Sequence, residues 1–294
     1  MSDTAAGRQT LFVHRDHRRN FAENLYVYAV VSRRSKGVSV GVNLNPDKVC
    51  NFDCVYCQVD RKTPPVVRDV DEARLLDELD DMLERVTSGQ LFEHERFRQT
   101  PSALRRLNDI AFSGDGEPTT CPRFREIVSA VAELKRRRGL DDVKLVLITN
   151  ATMFHRPPVR EALAVLDANN GEIWAKLEAG TEAYYRQIDR TTIPFQRVLD
   201  NITEAARVRP IVIQALFLRL HGDAPPAAEL EAFCDRLNEV LKAGGRIKLV
   251  QVYTVAREPA ESYVDSLSHA EVDAIVELVR RRTGLPAEPF YGPG

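Results

Sequence analysis

The sequence has no apolar run near the roughly 20 residues that a membrane helix needs, so no membrane span is expected. It has no excess of either charge. Lys plus Arg number 41 and Asp plus Glu 43, a net charge of −2. That balance excludes a protein held on nucleic acid mainly by bulk charge and leaves room only for a local basic patch. The opening residues, MSDTAAGRQTLFVHRDHRRN, lack an apolar stretch followed by a small-residue cleavage site. No secretory signal is expected, and the cytoplasm is the expected compartment. There is no low-complexity segment, no short-period repeat and no clear linker. Cysteines number only five, an odd count that does not suit a disulfide framework.

What is present is ordinary in amount and uneven in placement. The 294 residues are 44% hydrophobic and 29% charged, as in soluble globular proteins. A chain this long buries roughly three quarters of its unfolded surface and needs no staples. Hydrophobic periodicity alternates between two and about 3.6 residues along it. Strands are predicted over residues 38–44, 109–112, 143–149, 172–177, 211–218 and 246–254. Helices are predicted over 71–86, 122–137, 158–166, 194–208, 227–242 and 268–282. Six strand–helix units argue for an α/β fold with a parallel sheet covered by helices. Periodicity alone allows either an open doubly wound sheet or an incomplete barrel. Residues 1–37 read as an N-terminal extension, 38–283 as the core, and 284–294, rich in Pro and Gly, as an irregular tail. The basic ends of two helices, residues 135–138 and 280–282, read as solvated faces that complement the helix dipole.

Three of the cysteines, Cys50, Cys54 and Cys57, lie on one loop, NPDKVCNFDCVYCQVDR, after the first predicted strand. Clustered thiolates are soft ligands that favour zinc, copper(I) or an iron–sulfur cluster. A structural zinc site normally has four protein ligands, and no Cys or His follows Cys57 before His94. A four-iron cluster on three cysteines leaves one iron open for an exogenous ligand. Cys121 and Cys234 stand alone and read as small hydrophobic residues.

The spacing Cys-x3-Cys-x2-Cys, with Tyr56 before the last cysteine, resembles the signature of the radical S-adenosylmethionine (SAM) superfamily. The resemblance implies a partial (β/α)6 TIM-like barrel of parallel strands with helices outside. It further implies a 4Fe–4S cluster on Cys50, Cys54 and Cys57 whose open iron binds SAM. One-electron reduction would then cleave SAM to methionine and a 5′-deoxyadenosyl radical, which abstracts a substrate hydrogen. The turn Ser113-Gly114-Asp115-Gly116-Glu117-Pro118 is similar to the superfamily's glycine-rich motif, which holds the amino group of SAM. Here Asp115 separates the two glycines.

Other predicted strand ends carry polar groups where (β/α) proteins place their sites. Asn150 follows the third. Trp174, Lys176 and Glu178 alternate along the fourth, so the two charges are expected to face inward, either paired with each other or, as the resemblance implies, holding SAM or substrate. Gln214 and Gln251, on the fifth and sixth, are expected to meet the cofactor. His221 stands in a Gly/Pro turn at the substrate opening. Arg61, Lys62 and Arg68 follow the cluster loop and suit the carboxylate of SAM or an anionic substrate.

Taken together, the motifs resemble the subgroup of wyosine-type tRNA-base synthases and their uncharacterised bacterial relatives. The resemblance implies a reductant such as flavodoxin or ferredoxin and leaves the substrate unidentified, with RNA among the classes. No cysteine precedes Cys50, so the second cluster of the wyosine-forming enzymes is not carried over. The alternative is a non-catalytic iron–sulfur electron-transfer or zinc-binding protein.

Overall fold

A computed structural model describes residues 21, 23–257, 259 and 261–292. The basic run at residues 15–19 lies outside the described residues. The contacts divide the chain into two compact units where the sequence suggested one core. Among the described residues, one unit holds 21–51 and 59–175, the other 52–58 and 176–292.

The first unit begins with a strand inside the expected extension. β1 (Val27–Ser32) runs antiparallel to β2 (Gly37–Val42), with Val27 opposite Val42. β3 (Leu107–Phe112), β4 (Lys144–Thr149) and β5 (Gly171–Lys176) then add in parallel, in chain order. All six residues of β2 are buried, as expected for a strand covered on both faces. The crossovers are α1 (Glu72–Thr87), α2 (Phe124–Arg137) and α3 (Pro157–Asp167). In α1, Asp71 caps the first turn by accepting from the Arg74 N–H, and Leu75, Leu79, Met82, Leu83 and Val86 form the buried stripe. Glu78 interrupts that stripe for a reason. Its carboxylate accepts the backbone N–H groups of Leu25, Tyr26 and Val27 at 2.9, 2.8 and 3.2 Å, so it anchors the start of β1.

The second unit contains β6 (Ile211–Leu216), β8 (Ile247–Tyr253) and β10 (Ala287–Phe290), parallel and in that spatial order. Its helices are α4 (Glu182–Asp189), α5 (Phe195–Val208), α6 (Ala227–Lys242) and α7 (His269–Thr283). β7 (Leu218–Leu220) and β9 (Val264–Ser266) pair antiparallel in a separate two-stranded sheet. Counted along the chain, β2, β3, β4, β5, β6 and β8 each lead into a helix. The topology is that of a partial (β/α)6 TIM-like barrel with parallel strands. No helix among the described residues is long and apolar enough to cross a membrane.

Two expectations need correction. The tail expected to be irregular carries β10. Gly284, at φ 72°, ends α7, and the chain returns as a short strand in which Ala287 pairs with Val250. Pro289 fits there because β10 is an edge strand, which can spare a ladder donor. The basic helix ends are also more than solvated faces. Lys135 is buried and its Nζ donates to the carbonyls of Asp141 and Asn169, while Arg138 bonds Asp80 and Glu84 of α1. Arg280 donates to the Ala287 carbonyl and so ties α7 to β10.

Asp109, on β3, sets a pH dependence of the fold. It is 2% exposed and accepts from the Ser39 hydroxyl. Burial pushes its carboxyl up to about 6. The folded chain therefore keeps a proton between pH 4 and 6 that the unfolded chain releases. The associated stability is full below the unfolded pKa and is lost as pH rises through about 6, amounting to about 3 kcal/mol. Asn at this position keeps an acceptor for Ser39 and never ionises. Denaturant melts of Asp109→Asn and wild type between pH 4 and 7.5 should diverge by about this amount, with the variant gaining as pH rises. Parallel curves would refute the assignment.

Candidate cluster and cofactor site

In the first unit, the cysteine loop is laced to the ends of β3 and β4. A Cβ at Gly114 would overlap Asn43, and one at Gly116 would overlap the Val49 carbonyl. Only glycine lets the 114–116 turn lie this close to the segment leading into Cys50. Asn43 accepts from the Asp115 N–H at 3.1 Å and donates to the Asp115 carboxylate at 2.7 Å. Asn51, next to Cys50, accepts from Asn150 Nδ2 at 2.8 Å and donates to Thr152 Oγ1 at 2.7 Å. Asn150 also accepts from the Thr152 hydroxyl at 2.7 Å. Its side chain therefore positions the residue beside Cys50.

Glu117 is 3% exposed, and four protein donors reach its carboxylate, three at Oε1 and one at Oε2. Thr149 Oγ1 and the Asn150 N–H donate at 2.6 and 2.7 Å, and Thr119 donates its N–H and hydroxyl. Burial raises its pKa, and these hydrogen bonds oppose the rise. Sequence reasoning picked out Glu117 as a ligand group; the structure also makes it the clasp between the β3 and β4 ends.

In the second unit, residues 52–58 pair with the end of α4. The Asp53 and Val55 N–H groups donate to the carbonyls of Asp189 and Ile188 at 3.1 and 2.8 Å. The Cys57 N–H donates to the Cys54 carbonyl at 2.9 Å, closing the turn between the two cysteines. Cys54 Sγ lies 3.4 Å from Asp189 Oδ1. Tyr56 donates its hydroxyl to Glu178, and Tyr253 donates to the other Glu178 oxygen at 3.2 Å. Lys176 Nζ stands 5.5 Å from the centroid of the Tyr56 ring.

Glu178 and Asp189 are both buried. Burial raises the pKa of Glu178, opposed by the Lys176 charge; burial and then the Glu178 charge raise that of Asp189. Burial followed by the Asp189 charge pushes the Cys54 thiol well up. Lys176 and Glu178 do come together, as their alternation on β5 suggested. Asp189 and Tyr253 were not picked out as partners, and only the packing of α4 and β8 reveals them.

Gln214 and Gln251 are register partners on β6 and β8, and Gln214 Nε2 donates to Gln251 Oε1 at 3.0 Å. Gln214 is 1% exposed, and its own Oε1 is buried with no donor among the described residues. His221 is exposed in the turn after β7, at φ 53°, with its ring stacked on Tyr263 at 4.6 Å and 11°. Cys234 is fully buried in α6, and burial pushes its thiol up to about 11. Cys121 is partly buried.

Cys50, Cys54 and Cys57 are all partly exposed. Among the described residues, no three His, Cys, Asp or Glu side chains are grouped so as to hold a metal ion. An iron–sulfur cluster spreads three thiolates over three separate irons, so its cysteines need not meet at a point. Three cysteines on one loop supply soft ligands of the kind an iron–sulfur cluster takes.

The comparisons with known proteins agree. The "UPF0026 protein" of Helicobacter pylori strain J99 is 23% identical over 221 residues, 74% of this chain; the chain spans 64% of that protein's length. The fold is similar to that of a radical SAM methyltransferase from Sphaerobacter thermophilus. That match has TM-score 0.63 at 13% identity and covers 91% of this chain and 70% of the other. It is also similar to TYW1 with a lysine–pyruvate adduct bound, with TM-score 0.53 at 14% identity, covering 85% and 74%. The Radical SAM superfamily pattern matches residues 44–225, more than half of the chain and the stretch that runs from before Cys50 past Gln214. With the cysteine loop, the glycine turn, Lys176 and Glu178 all inside that stretch, the chain belongs to the radical SAM superfamily.

Proposed function

We propose that this chain is an enzyme holding a 4Fe–4S cluster on Cys50, Cys54 and Cys57 and binding SAM at the iron that no cysteine occupies. The observation that carries this reading is the loop itself: three partly exposed cysteines within eight residues, with no fourth Cys or His following before His94. A cluster held by Cys50, Cys54 and Cys57 would supply one-electron reductive cleavage of SAM, the chemistry that makes a hydrogen-abstracting radical available to substrate. The electron comes from a low-potential carrier such as flavodoxin or ferredoxin. A reducing compartment keeps the thiols available, so we assign the enzyme to the cytoplasm.

The chain's own residues have the following parts. Backbone groups of Gly114, Asp115 and Gly116 meet the amino acid end of SAM. Gln214 Oε1, lacking a donor, accepts from a hydroxyl or amine of the adenosyl group, and Gln251 holds Gln214 in place. Lys176 and Glu178 meet SAM or substrate, and Tyr56 and Tyr253 orient Glu178. Asn150 keeps the Cys50 segment in place. Glu117, held by the ends of β3 and β4, keeps acceptor capacity at Oε2 for the amino group of SAM.

The test is anaerobic reconstitution, analysis for iron and sulfide, then dithionite reduction with SAM and chromatography of 5′-deoxyadenosine. About four irons per chain and slow formation of 5′-deoxyadenosine are expected. Glu178→Gln loses the charge and keeps one oxygen to accept from a tyrosine, while its amide nitrogen donates to the hydroxyl oxygen of the other. It should fold and bind iron normally but cleave SAM roughly hundredfold more slowly. Tightly bound zinc without a cluster would overturn the reading. A replete cluster with no SAM binding would favour plain electron transfer.

A further inference from the structure

β1 lies outside the stretch that matches the superfamily, residues 44–225, yet one of its side chains reaches the glycine turn. Tyr28 is 6% exposed and stands opposite Gly41 of β2 in the antiparallel register. A Cβ at Gly41 would overlap the hydroxyl-bearing end of the Tyr28 ring, so only glycine there lets the ring cross β2. Beyond it lies the end of β3. Phe112 packs edge-on against Phe124 of α2, and alternation turns Ser113 to the face away from that helix. On that face the Tyr28 hydroxyl meets Ser113 twice, 2.9 Å from Oγ and 3.2 Å from the carbonyl. The phenol has one proton. It donates to the carbonyl and accepts from the Ser113 hydroxyl.

Ser113 immediately precedes Gly114, so these bonds fix where the turn begins. Asn43 holds its middle through the N–H and carboxylate of Asp115, and Thr149 and Asn150 hold Glu117 at its end. Between these anchors lie two glycines, the residue type that loses most freedom on ordering. Among the described residues, no backbone–backbone hydrogen bond holds Gly114 or Gly116. Their peptide groups point where the anchored neighbours send them.

Resting on the reading that the 114–116 backbone meets the amino acid end of SAM, we propose that Tyr28 is a positioning residue of the SAM site. Its hydroxyl fixes the Ser113 peptide and thereby aims the glycine backbone groups before SAM arrives. The ordering cost of the turn is then met during folding, and binding keeps the full gain of its contacts. Because Tyr28 acts through Ser113, its effect falls on SAM affinity. It also falls on one end of SAM only, since the turn serves the amino acid end and the adenosyl group is held elsewhere.

The test compares the cluster-loaded full chain with its Tyr28→Phe variant, which keeps the ring over Gly41 and loses only the hydroxyl. Binding is read by equilibrium dialysis with labelled SAM and by competition with 5′-methylthioadenosine, which lacks the amino acid end. Iron content and dithionite-driven cleavage are measured in parallel. Tyr28→Phe should raise the Kd and KM for SAM roughly fivefold, the size of one lost hydrogen bond. Affinity for 5′-methylthioadenosine, iron content and kcat at saturating SAM should match wild type. An unchanged Kd for SAM would overturn the proposal and leave the enzyme reading standing, whatever happens to the melting midpoint. Equal weakening of SAM and 5′-methylthioadenosine would also overturn it, because a loosened fold and not an aimed turn would then be the cause. A fall in kcat at unchanged Kd would overturn it by moving Tyr28 to the reacting atoms. Wild type with a full cluster and no SAM binding would strike the enzyme reading and this proposal together.

Discussion

Cys54→Ala yields a folded chain that neither assembles the cluster nor cleaves SAM. The argument starts with what holds the cysteine turn. The backbone of residues 53–57 is fixed by bonds to Asp189, Ile188 and Cys54, none of which uses a cysteine side chain. Removing the sulfur therefore leaves the turn's bonds in place. What disappears is one of three clustered sulfur ligands, and the neighbouring Asp189 carboxylate is a harder ligand than the thiolate it would replace. Iron content should fall from about four per chain to near background, and 5′-deoxyadenosine should drop at least roughly hundredfold. The circular dichroism spectrum should match wild type. A variant that stays brown and cleaves SAM at the normal rate would remove Cys54 from the ligand set.

The six strand–helix units were legible because each is a local pattern. α6 begins and ends at the residues its periodicity indicates, Ala227 and Lys242. β4, flanked on both sides by other strands, reads as a nearly unbroken apolar run. The elements that were missed depend on partners elsewhere. β1 needs Glu78 of α1 to receive its backbone donors, and β10 needs β8 beside it. α4 is eight residues long, too short for a convincing helical stripe.

The site divides in the same way. Cysteine spacing and alternating charges on β5 are visible in a linear sequence. Asp189 is not, because it enters the site through the end of α4 and the backbone pairing of residues 53–55. Glu117 was visible as a residue, but its task is set by Thr149 and Asn150 at the end of the next strand.

That task makes Glu117→Ala a stability variant before it is a cofactor variant. Glu117 and Glu178 are both buried carboxyls in strand-end segments, yet their surroundings differ. Glu178 is held by two tyrosine hydroxyls with a lysine among the charges acting on it, whereas Glu117 receives four donors from residues 119, 149 and 150. Truncation to Ala leaves those buried donors without an acceptor and opens a void between two turns. Stranding them should cost roughly 3–5 kcal/mol and lower the melting midpoint by about 10 °C. Glu117→Gln keeps one acceptor oxygen but brings an amide that faces donors, so it should recover only part of the loss. Thermal melts of both variants without cofactor decide the matter, because a clasp matters before SAM binds. Loss of SAM affinity at an unchanged melting midpoint would instead leave Glu117 with the cofactor contact alone.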